Sequence, residues 1–231
     1  MPNAPQEALL LNNSKKQDPE AAKRHIWNSE YTKSYGSEGD KQRVWDEEYS
    51  KGKWDYLDPQ RAGSGDQIYR YLNKYCLDAS VLDLGCGAGG TALEMTDAYR
   101  EYVGVDVSTV AIEKARARLS ENPQRAHKAF FFASDILSFV PDRKFSTILL
   151  RESLYYCPVD QIADLMGRYS DYLAPDGAFI VRIHDRRRYR GIVELLEKHL
   201  DLVEKYEMED SLGVMAVYRP RRAPNVSPNA R

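Results

Sequence analysis

Short apolar runs alternate with amphipathic segments through the middle of the chain. Apolar runs of strand length occupy residues 80–84, 102–105, 129–133, 145–150 and 178–183. Apolar residues recur at helical spacing in residues 91–98, 110–119 and 159–173. This alternation is typical of a parallel sheet that helices cover on both faces. The pattern therefore predicts an α/β fold with a doubly wound sheet.

The two ends of the chain depart from this alternation. Aromatic and apolar side chains in residues 42–56 and 67–76 predict two helices before the first strand. Near the other end, the sequence predicts a helix at 189–199, followed by an antiparallel hairpin of residues 202–207 and 213–218.

The domain organisation is simple, since no repeat or linker divides the chain. Residues 1–24 and 220–231 are polar and contain prolines, and we expect both tails to be disordered. We expect residues 25–219 to form one domain, with a helical cap or lid at 25–78 and a Rossmann-like core at 79–219.

Charge bears on the choice of partner. The sequence has 33 Lys and Arg residues against 35 Asp and Glu residues, a net charge of −2. This balance argues against a nucleic-acid or membrane partner and favours a small-molecule substrate. One basic run, Arg186, Arg187, Arg188 and Arg190, either holds an acidic group or forms a solvated helix start.

Cysteine usage and the absence of long apolar runs predict a cytoplasmic protein. Cys76, Cys86 and Cys157 lack the spacing of a zinc site or a disulfide framework, so we expect free thiols and no metal. No signal peptide is apparent, and no apolar run approaches the roughly 20 residues that span a bilayer.

A glycine loop follows the first core strand. Gly85, Gly87 and Gly90 fit the spacing Gly-x-Gly-x-x-Gly between a strand and a helix, where glycine permits tight turns and close approach to a ligand. On its own the loop suits either a dinucleotide or S-adenosylmethionine, or it is a tight turn without a ligand.

Two carboxylates follow the next two strands. Asp106, about 20 residues after the loop, is placed to accept hydrogen bonds from both ribose hydroxyls, or alternatively to cap the helix that starts near Ser108. Asp135 is placed to accept from an adenine amino group while Ile136 packs on the ring; the alternative is an ordinary turn aspartate.

Four segments together resemble the ordered motifs of class I S-adenosylmethionine-dependent methyltransferases. They are Asp83-Leu84-Gly85-Cys86-Gly87-Ala88-Gly89, Gly104-Val105-Asp106, Ser134-Asp135-Ile136 and Leu173-Ala174-Pro175-Asp176-Gly177. The resemblance implies a Rossmann-like seven-stranded sheet, mostly parallel with an antiparallel terminal strand. It also implies that S-adenosyl-L-methionine binds across the carboxyl ends of the strands and leaves as S-adenosyl-L-homocysteine.

The resemblance assigns roles by position. Asp83 would lie beneath the methionine amino group, Gly85 and Gly87 would line the loop under the cofactor, and Asp106 would hold the ribose. The other core residues expected at the cofactor are Cys86, Gly89, Val107, Ser108, Asp135, Ile136, Arg151 and Glu152.

The aromatic residues before the first strand predict a lid similar to that of small natural-product and nodulation-type methyltransferases. We expect Tyr49 and Trp54 to contact the cofactor, because an aromatic face attracts a sulfonium cation and a phenol can reach the carboxylate. Trp45 fits equally well as a residue that packs the helices onto the sheet.

Catalytic candidates follow the fourth and fifth strands. Methyl transfer needs alignment, exclusion of water and, for some acceptors, removal of a proton. His184 is the candidate general base and Tyr155 a candidate for the pocket wall, although a lone histidine also suits capping or packing.

The sequence thus predicts methyl transfer to an oxygen or nitrogen of a small molecule, such as a secondary metabolite. Alternatives are methylation of RNA or protein, a non-catalytic cofactor-binding partner subunit, and a nicotinamide-dependent oxidoreductase. The acceptor and the oligomeric state are left open.

Overall fold

The computed structural model describes residues 29–57, 74–76, 78–95, 99–208 and 211–221. Residues 1–24, nearly all of 220–231 and most of the helix predicted at 67–76 lie outside these ranges. The expectations for those segments therefore stay predictions.

A seven-stranded sheet forms the centre of the described structure, in the order β3-β2-β1-β4-β5-β7-β6. The strands are β1 (Ser80–Leu84), β2 (Glu101–Asp106), β3 (Ala129–Ala133), β4 (Phe145–Arg151), β5 (Leu173–Ile183), β6 (Leu200–Glu207) and β7 (Val214–Pro220). Strand β7 pairs antiparallel with both β5 and β6, and the pairs among β1 to β5 are parallel. The predicted Rossmann-like sheet with an antiparallel terminal strand is confirmed.

Helices pack on both faces of the sheet. Those with defined bounds are α1 (Glu38–Ser50), α2 (Gly90–Glu94), α3 (Thr109–Ser120), α4 (Pro123–Ala126), α5 (Val159–Ser170) and α6 (Arg190–His199), and residues 29–35 are also helical. Alternate residues of β1 supply the two faces: Leu82 and Leu84 belong to one apolar cluster and Val81 to the other. Complete burial of β1 on both faces explains why this strand is a nearly continuous apolar run.

The first helix is displaced from its predicted range of 42–56. Helix α1 begins earlier because Ser37 caps it, accepting a hydrogen bond from the backbone N–H of Asp40. It ends at Ser50, ahead of a turn in which Gly52 has a φ of +69°. The aromatic residues beyond Ser50 therefore lie on a turn and a short 3₁₀ helix, Asp55–Leu57.

The boundary between α5 and β5 also differs from the prediction. The helix predicted at 159–173 ends at Ser170, and the strand predicted at 178–183 begins at Leu173. Leu173 pairs with Phe145 of β4, so this residue belongs to the sheet and not to the helix. Residues 174–177, which lie between the predicted helix and the predicted strand, are included in β5, beside a register irregularity of β4.

The strand order reverses between β1 and β4, and this reversal positions the site. Strand β1 pairs with β2 on one side and with β4 on the other. The connections beyond these strands diverge, leaving a crevice at their carboxyl ends, which is where open α/β sheets bind ligands. Within the described ranges, no helix has the length and apolar character needed to cross a membrane.

Candidate functional site

A cleft lies at the carboxyl edge of the sheet, between the glycine loop and helix α1. Residues 29–57, here called the roof, supply Lys41, Trp45, Tyr49 and Trp54 to its lining. The sheet side contributes the glycine loop and the ends of β2, β4 and β5.

Two glycines of the loop occupy backbone conformations that a side chain would strain. Gly85 has a φ of +85°, and a Cβ there would overlap the side chain of Ser153. Gly87 has a φ of +54°, and a Cβ there would lie 2.6 Å from the Tyr49 hydroxyl. The loop is held against β2 because Gly85 N and Cys86 N both donate to the carbonyl of Val105, at 2.8 and 3.0 Å. Gly85 and Gly87 both belong to the lining of the cleft.

Asp106 ends β2 with its carboxylate at the cleft. It accepts one hydrogen bond from Gly87 N and another from Ser108 N, both at 2.9 Å. Burial raises the pKa of Asp106 to about 6, although these two hydrogen bonds oppose the shift. Helix α3 is capped by Ser108, whose hydroxyl accepts from Ala111 N, so Asp106 does not have the capping role.

Asp83 lies behind the glycine loop and is only 1% exposed. The Tyr102 hydroxyl donates to its Oδ2, and its Oδ1 has no hydrogen-bond partner within the described residues. Burial raises the pKa of Asp83 to about 6. A buried carboxylate oxygen without a partner is costly, and an ammonium group would relieve that cost.

Asp135 forms a buried ion pair that is not apparent from the sequence. Lys41 Nζ of the roof lies 2.7 Å from Asp135 Oδ2, and both residues line the cleft. The other oxygen, Oδ1, accepts from Leu137 N at 2.9 Å. Asp135 also closes a turn through its carbonyl, which accepts from Ser138 N and Phe139 N. It therefore forms a strand-ending turn and still presents its side chain at the cleft.

The roof is attached to the core at the start of helix α3. The carboxylate of Asp46 accepts from the hydroxyls of Ser108 and Thr109, at 2.7 and 2.9 Å, and from Val110 N at 3.1 Å. Farther along α3, Lys114 donates to the carbonyl of Tyr49 at 2.7 Å. These bonds place the aromatic residues of the roof beside the glycine loop.

Four aromatic residues form one wall of the cleft: Trp45, Tyr49, Trp54 and Tyr156. One of them, Trp45, also contacts the ammonium of Lys33. Trp45 packs edge-on against Tyr156, with ring centroids 4.8 Å apart, and lies 5.5 Å from Trp54. The ammonium of Lys33, which is buried, lies 4.6 Å from the Trp45 ring and 3.0 Å from a Glu48 oxygen. Trp45 therefore both lines the cleft and holds the roof together.

Glu152 connects the ends of β4 and β5. It has a φ of +57°, forms an ion pair with Arg182, and accepts from the Tyr155 hydroxyl at 2.8 Å. His184 approaches the same carboxylate with its backbone N–H at 3.0 Å and its Nδ1 at 2.9 Å. Burial raises the pKa of Tyr155 well above its usual value, so this phenol stays protonated and donates.

Most of the predicted site residues line the cleft. They are Tyr49, Trp54, Gly85, Cys86, Gly87, Asp106, Val107, Asp135, Ile136, Arg151, Glu152 and Tyr155. Three predicted cofactor residues, Asp83, Gly89 and Ser108, are not part of the lining. His184 is also outside it, with its side chain 48% exposed, but it contacts Glu152 and Tyr155, which are in the lining.

Several lining residues were not among the predicted site residues: Lys41, Ser153, Tyr156, Cys157 and Arg182. Tyr156 and Ser153 were open to prediction, because they adjoin predicted residues just past the fourth strand. Lys41 and Arg182 gave no such signal, since neither lies in a recognisable motif.

The basic run 186–190 is largely paired within the protein. Arg186 forms an ion pair with Glu207 at 3.1 Å, and Arg190 pairs with Glu194 at 3.3 Å. Arg188 lies over the ring of Tyr189, 5.2 Å from its centroid. These contacts agree with a solvated helix start rather than with an anion site.

The three cysteines are buried free thiols, and the described part of the chain has no cluster of three or more potential metal ligands.

Comparison with known proteins finds a family match and distant relatives. Residues 81–177 match the family described as "Methyltransferase domain". The mRNA cap guanine-N(7) methyltransferase of Schizosaccharomyces pombe is 27% identical over 154 residues, covering 62% of this chain and 41% of that protein. The 2-heptyl-1-hydroxyquinolin-4(1H)-one methyltransferase of Mycobacteroides abscessus is 25% identical over 171 residues, covering 71% of this chain and 72% of the relative. The chain thus spans less than half of the first of these relatives.

Among solved structures, the fold is similar to that of the N-methyltransferase NodS from Bradyrhizobium japonicum WM9 in complex with S-adenosyl-L-homocysteine. The TM-score is 0.62 at 20% identity, over 78% of this chain and 98% of the other. At this identity, the similarity establishes the fold.

Proposed function

This chain carries a class I S-adenosylmethionine-dependent methyltransferase domain, and we propose that it methylates an oxygen or nitrogen of a small-molecule acceptor. The observation that carries the proposal is the Asp106 carboxylate. It faces the cleft at the end of β2 while its own hydrogen bonds fix it to Gly87 and Ser108. Carboxylates so placed in doubly wound sheets hold ribose hydroxyls.

The residues around Asp106 fit the remaining parts of S-adenosylmethionine. The unpartnered Oδ1 of Asp83 suits the methionine ammonium, and Gly85 and Gly87 let the backbone approach the ligand. Asp135 and Ile136, which line the same cleft, suit adenine. The bound cofactor supplies an electrophilic methyl group on a sulfonium.

The chain's part in the reaction is to align the reactants and exclude water. Tyr49, Trp54 and Tyr156 belong to the aromatic wall together with Trp45. Aromatic faces stabilise a sulfonium better than they stabilise the neutral thioether left after transfer. The hydrogen bonds of Asp46 hold the roof, which carries Tyr49 and Trp54, against the core.

Proton removal from the acceptor is assigned to the group formed by Glu152, Tyr155 and His184. When His184 Nδ1 carries a proton and donates to Glu152, its Nε2 has a lone pair for the acceptor proton. His184 contacts Glu152 and Tyr155 of the cleft lining, and its 48% exposed side chain is accessible to an acceptor that enters from solvent. The role of Tyr155 is to form the acceptor wall, stacked on Tyr189 with centroids 4.4 Å apart.

A small acceptor is preferred over RNA. The cap methyltransferase relative keeps RNA as the alternative, but this chain has a net charge of −2 and its basic run is paired internally. The hydroxyquinolinone methyltransferase relative, of which the chain covers 72%, favours a small aromatic or heteroaromatic acceptor.

Isothermal titration calorimetry with S-adenosylmethionine, S-adenosylhomocysteine and NAD tests the cofactor. We expect the two sulfur compounds to bind and NAD not to bind. Binding of NAD alone would overturn the proposal in favour of an oxidoreductase. Incubation with a methyl-labelled donor and a panel of phenols, hydroxyquinolones, amines and capped RNA then tests the acceptor. Label in RNA alone would favour the RNA alternative, and binding without any transfer would favour a non-catalytic subunit.

A further inference from the structure

Lys41 places an ammonium group at the end of the cleft where Asp135 lies. Its side chain is 7% exposed, yet Lys41 lines the cleft. Its Nζ lies 2.7 Å from Asp135 Oδ2, and an ammonium has three donors, so donors remain after this bond. A buried lysine is uncommon and is costly to desolvate.

The ion pair presents a donor and an acceptor side by side. The carboxylate is held in place from below, because Leu137 N donates to Oδ1 at 2.9 Å. The backbone N–H of Asp135 donates in turn to Glu38 of the roof, at 3.2 Å. The order of the two groups, ammonium from the roof and carboxylate from the core, is therefore fixed.

We propose that Lys41 is a specificity-determining residue that donates a hydrogen bond to N1 of the cofactor's adenine. Asp135 accepts a hydrogen bond from the adjacent amino group. The inference rests on the proposed function and deepens it. Adenine carries an amino donor next to an acceptor nitrogen, the complement of a fixed carboxylate beside an ammonium. A base with a carbonyl and an N–H at these positions meets like groups at both, and such mismatches in buried sites are strongly rejected.

The proposal also gives the roof a part in cofactor recognition. Asp135 lies 94 residues after Lys41 in the sequence, and the glycine loop and β2 come between them in the chain. The pair of groups that contacts adenine, Lys41 and Asp135, is therefore complete only when the roof is docked on the core. Asp46 docks the same helix through separate bonds, so docking and base reading can be tested independently.

The test compares S-adenosylhomocysteine with its 1-deaza analogue, in which a C–H replaces N1, by calorimetry on the full chain. We expect wild type to bind the 1-deaza analogue about 10-fold more weakly than S-adenosylhomocysteine. Lys41→Met keeps the side-chain volume, removes the donor, and should bind the two ligands within about 2-fold of each other.

Lys114→Met is the matched control. Lys114 also ties the roof to α3, through Tyr49 and Asp55, but it does not line the cleft. It should weaken both ligands equally and retain the penalty for the 1-deaza analogue. If Lys41→Met proves insoluble because Asp135 is left unpaired, the double variant Lys41→Met/Asp135→Asn removes both charges and must likewise lack the penalty.

The outcomes separate this inference from the proposed function. An equal penalty in wild type and Lys41→Met, or no penalty in wild type, would overturn the assignment of Lys41 and leave the methyltransferase proposal intact. Failure of wild type to bind S-adenosylhomocysteine itself would overturn both.

Discussion

Asp46 Oδ1 lies 2.7 Å from the hydroxyl of Ser108, the residue that begins helix α3. Asp46 belongs to the roof and Ser108 to the core, two positions after Asp106. Burial raises the pKa of Asp46, but hydrogen bonds from Ser108, Val110 and Thr109 outweigh that effect and lower it. A carboxylate at the N-terminus of a helix also interacts favourably with the helix dipole.

We expect Asp46→Ala to lower the free energy of unfolding by about 1–2 kcal/mol, because three donors at the start of α3 lose their acceptor. Urea unfolding followed by circular dichroism measures the change. Asp40→Ala on the exposed side of the same helix is the control and should cost less than Asp46→Ala. Equal losses would show that Asp46 contributes nothing through α3.

Asp106→Asn should weaken binding of S-adenosylhomocysteine by about 10- to 100-fold, because a neutral amide is a poorer acceptor for two ribose hydroxyls. Calorimetry gives the affinity, and thermal unfolding checks that the variant is folded. Asp201→Asn, on the edge strand β6, is the control and should bind like wild type. Wild-type affinity in a folded Asp106→Asn variant would exclude Asp106 as the ribose ligand.

Binding should also depend on pH. The pKa values of Asp106 and Asp83 are raised to about 6 by burial, so both carboxylates gain protons as pH falls through 6. Affinity for S-adenosylhomocysteine should therefore fall between pH 7 and pH 5. Stability has the opposite sign for these two groups: their raised pKa values favour the folded state at low pH, and that contribution is lost as pH rises through 6.

Calorimetry at pH 5, 6, 7 and 8 checks this expectation. In Asp106→Asn the pH dependence should become shallower, because one of the two titrating groups is gone. A flat profile in wild type would mean that neither carboxylate contacts the ligand in its ionised form.

Glu152→Gln should lower the free energy of unfolding by about 1–3 kcal/mol. The variant removes the Glu152 carboxylate charge that forms an ion pair with Arg182, whose side chain is 18% exposed. Glu207→Gln removes a more exposed partner, that of Arg186, and should cost less than about 1 kcal/mol. Chemical denaturation of both variants gives the comparison, and a smaller effect at Glu152 would contradict its central role.

His184→Ala tests the base. Turnover with an acceptor identified from the labelled panel should fall about 100-fold, while the affinity for S-adenosylhomocysteine changes less than about 2-fold. His199→Ala, at the exposed end of α6, should leave both values unchanged. Undiminished turnover in His184→Ala would show that the acceptor needs no base or uses another.

The parts of the site that follow from local sequence were predictable. Asp83 is the next-to-last residue of β1, Asp106 ends β2 and Asp135 follows β3. The spacing of strands and glycines indicates where a parallel sheet brings such ends together. Their positions require no knowledge of distant contacts.

The parts that depend on long-range docking were not predictable. Lys41 is one of many polar residues on α1, and only its contact with a residue 94 positions away distinguishes it. The boundary at Leu173 failed for a related reason: helical spacing continued past Ser170, but pairing with Phe145 determined the structure. A local preference for helix does not determine the structure where strand pairing with a distant segment is available.

The aromatic wall also equips the protein with an optical reporter. Two of the three tryptophans in the chain, Trp45 and Trp54, lie on the cleft, and the Lys33 ammonium lies 4.6 Å from the ring of one of them. Indole emission responds to nearby charge and to solvent, so occupancy of the cleft and detachment of the roof will each alter the fluorescence. Stopped-flow measurements on the unlabelled protein can therefore time both events.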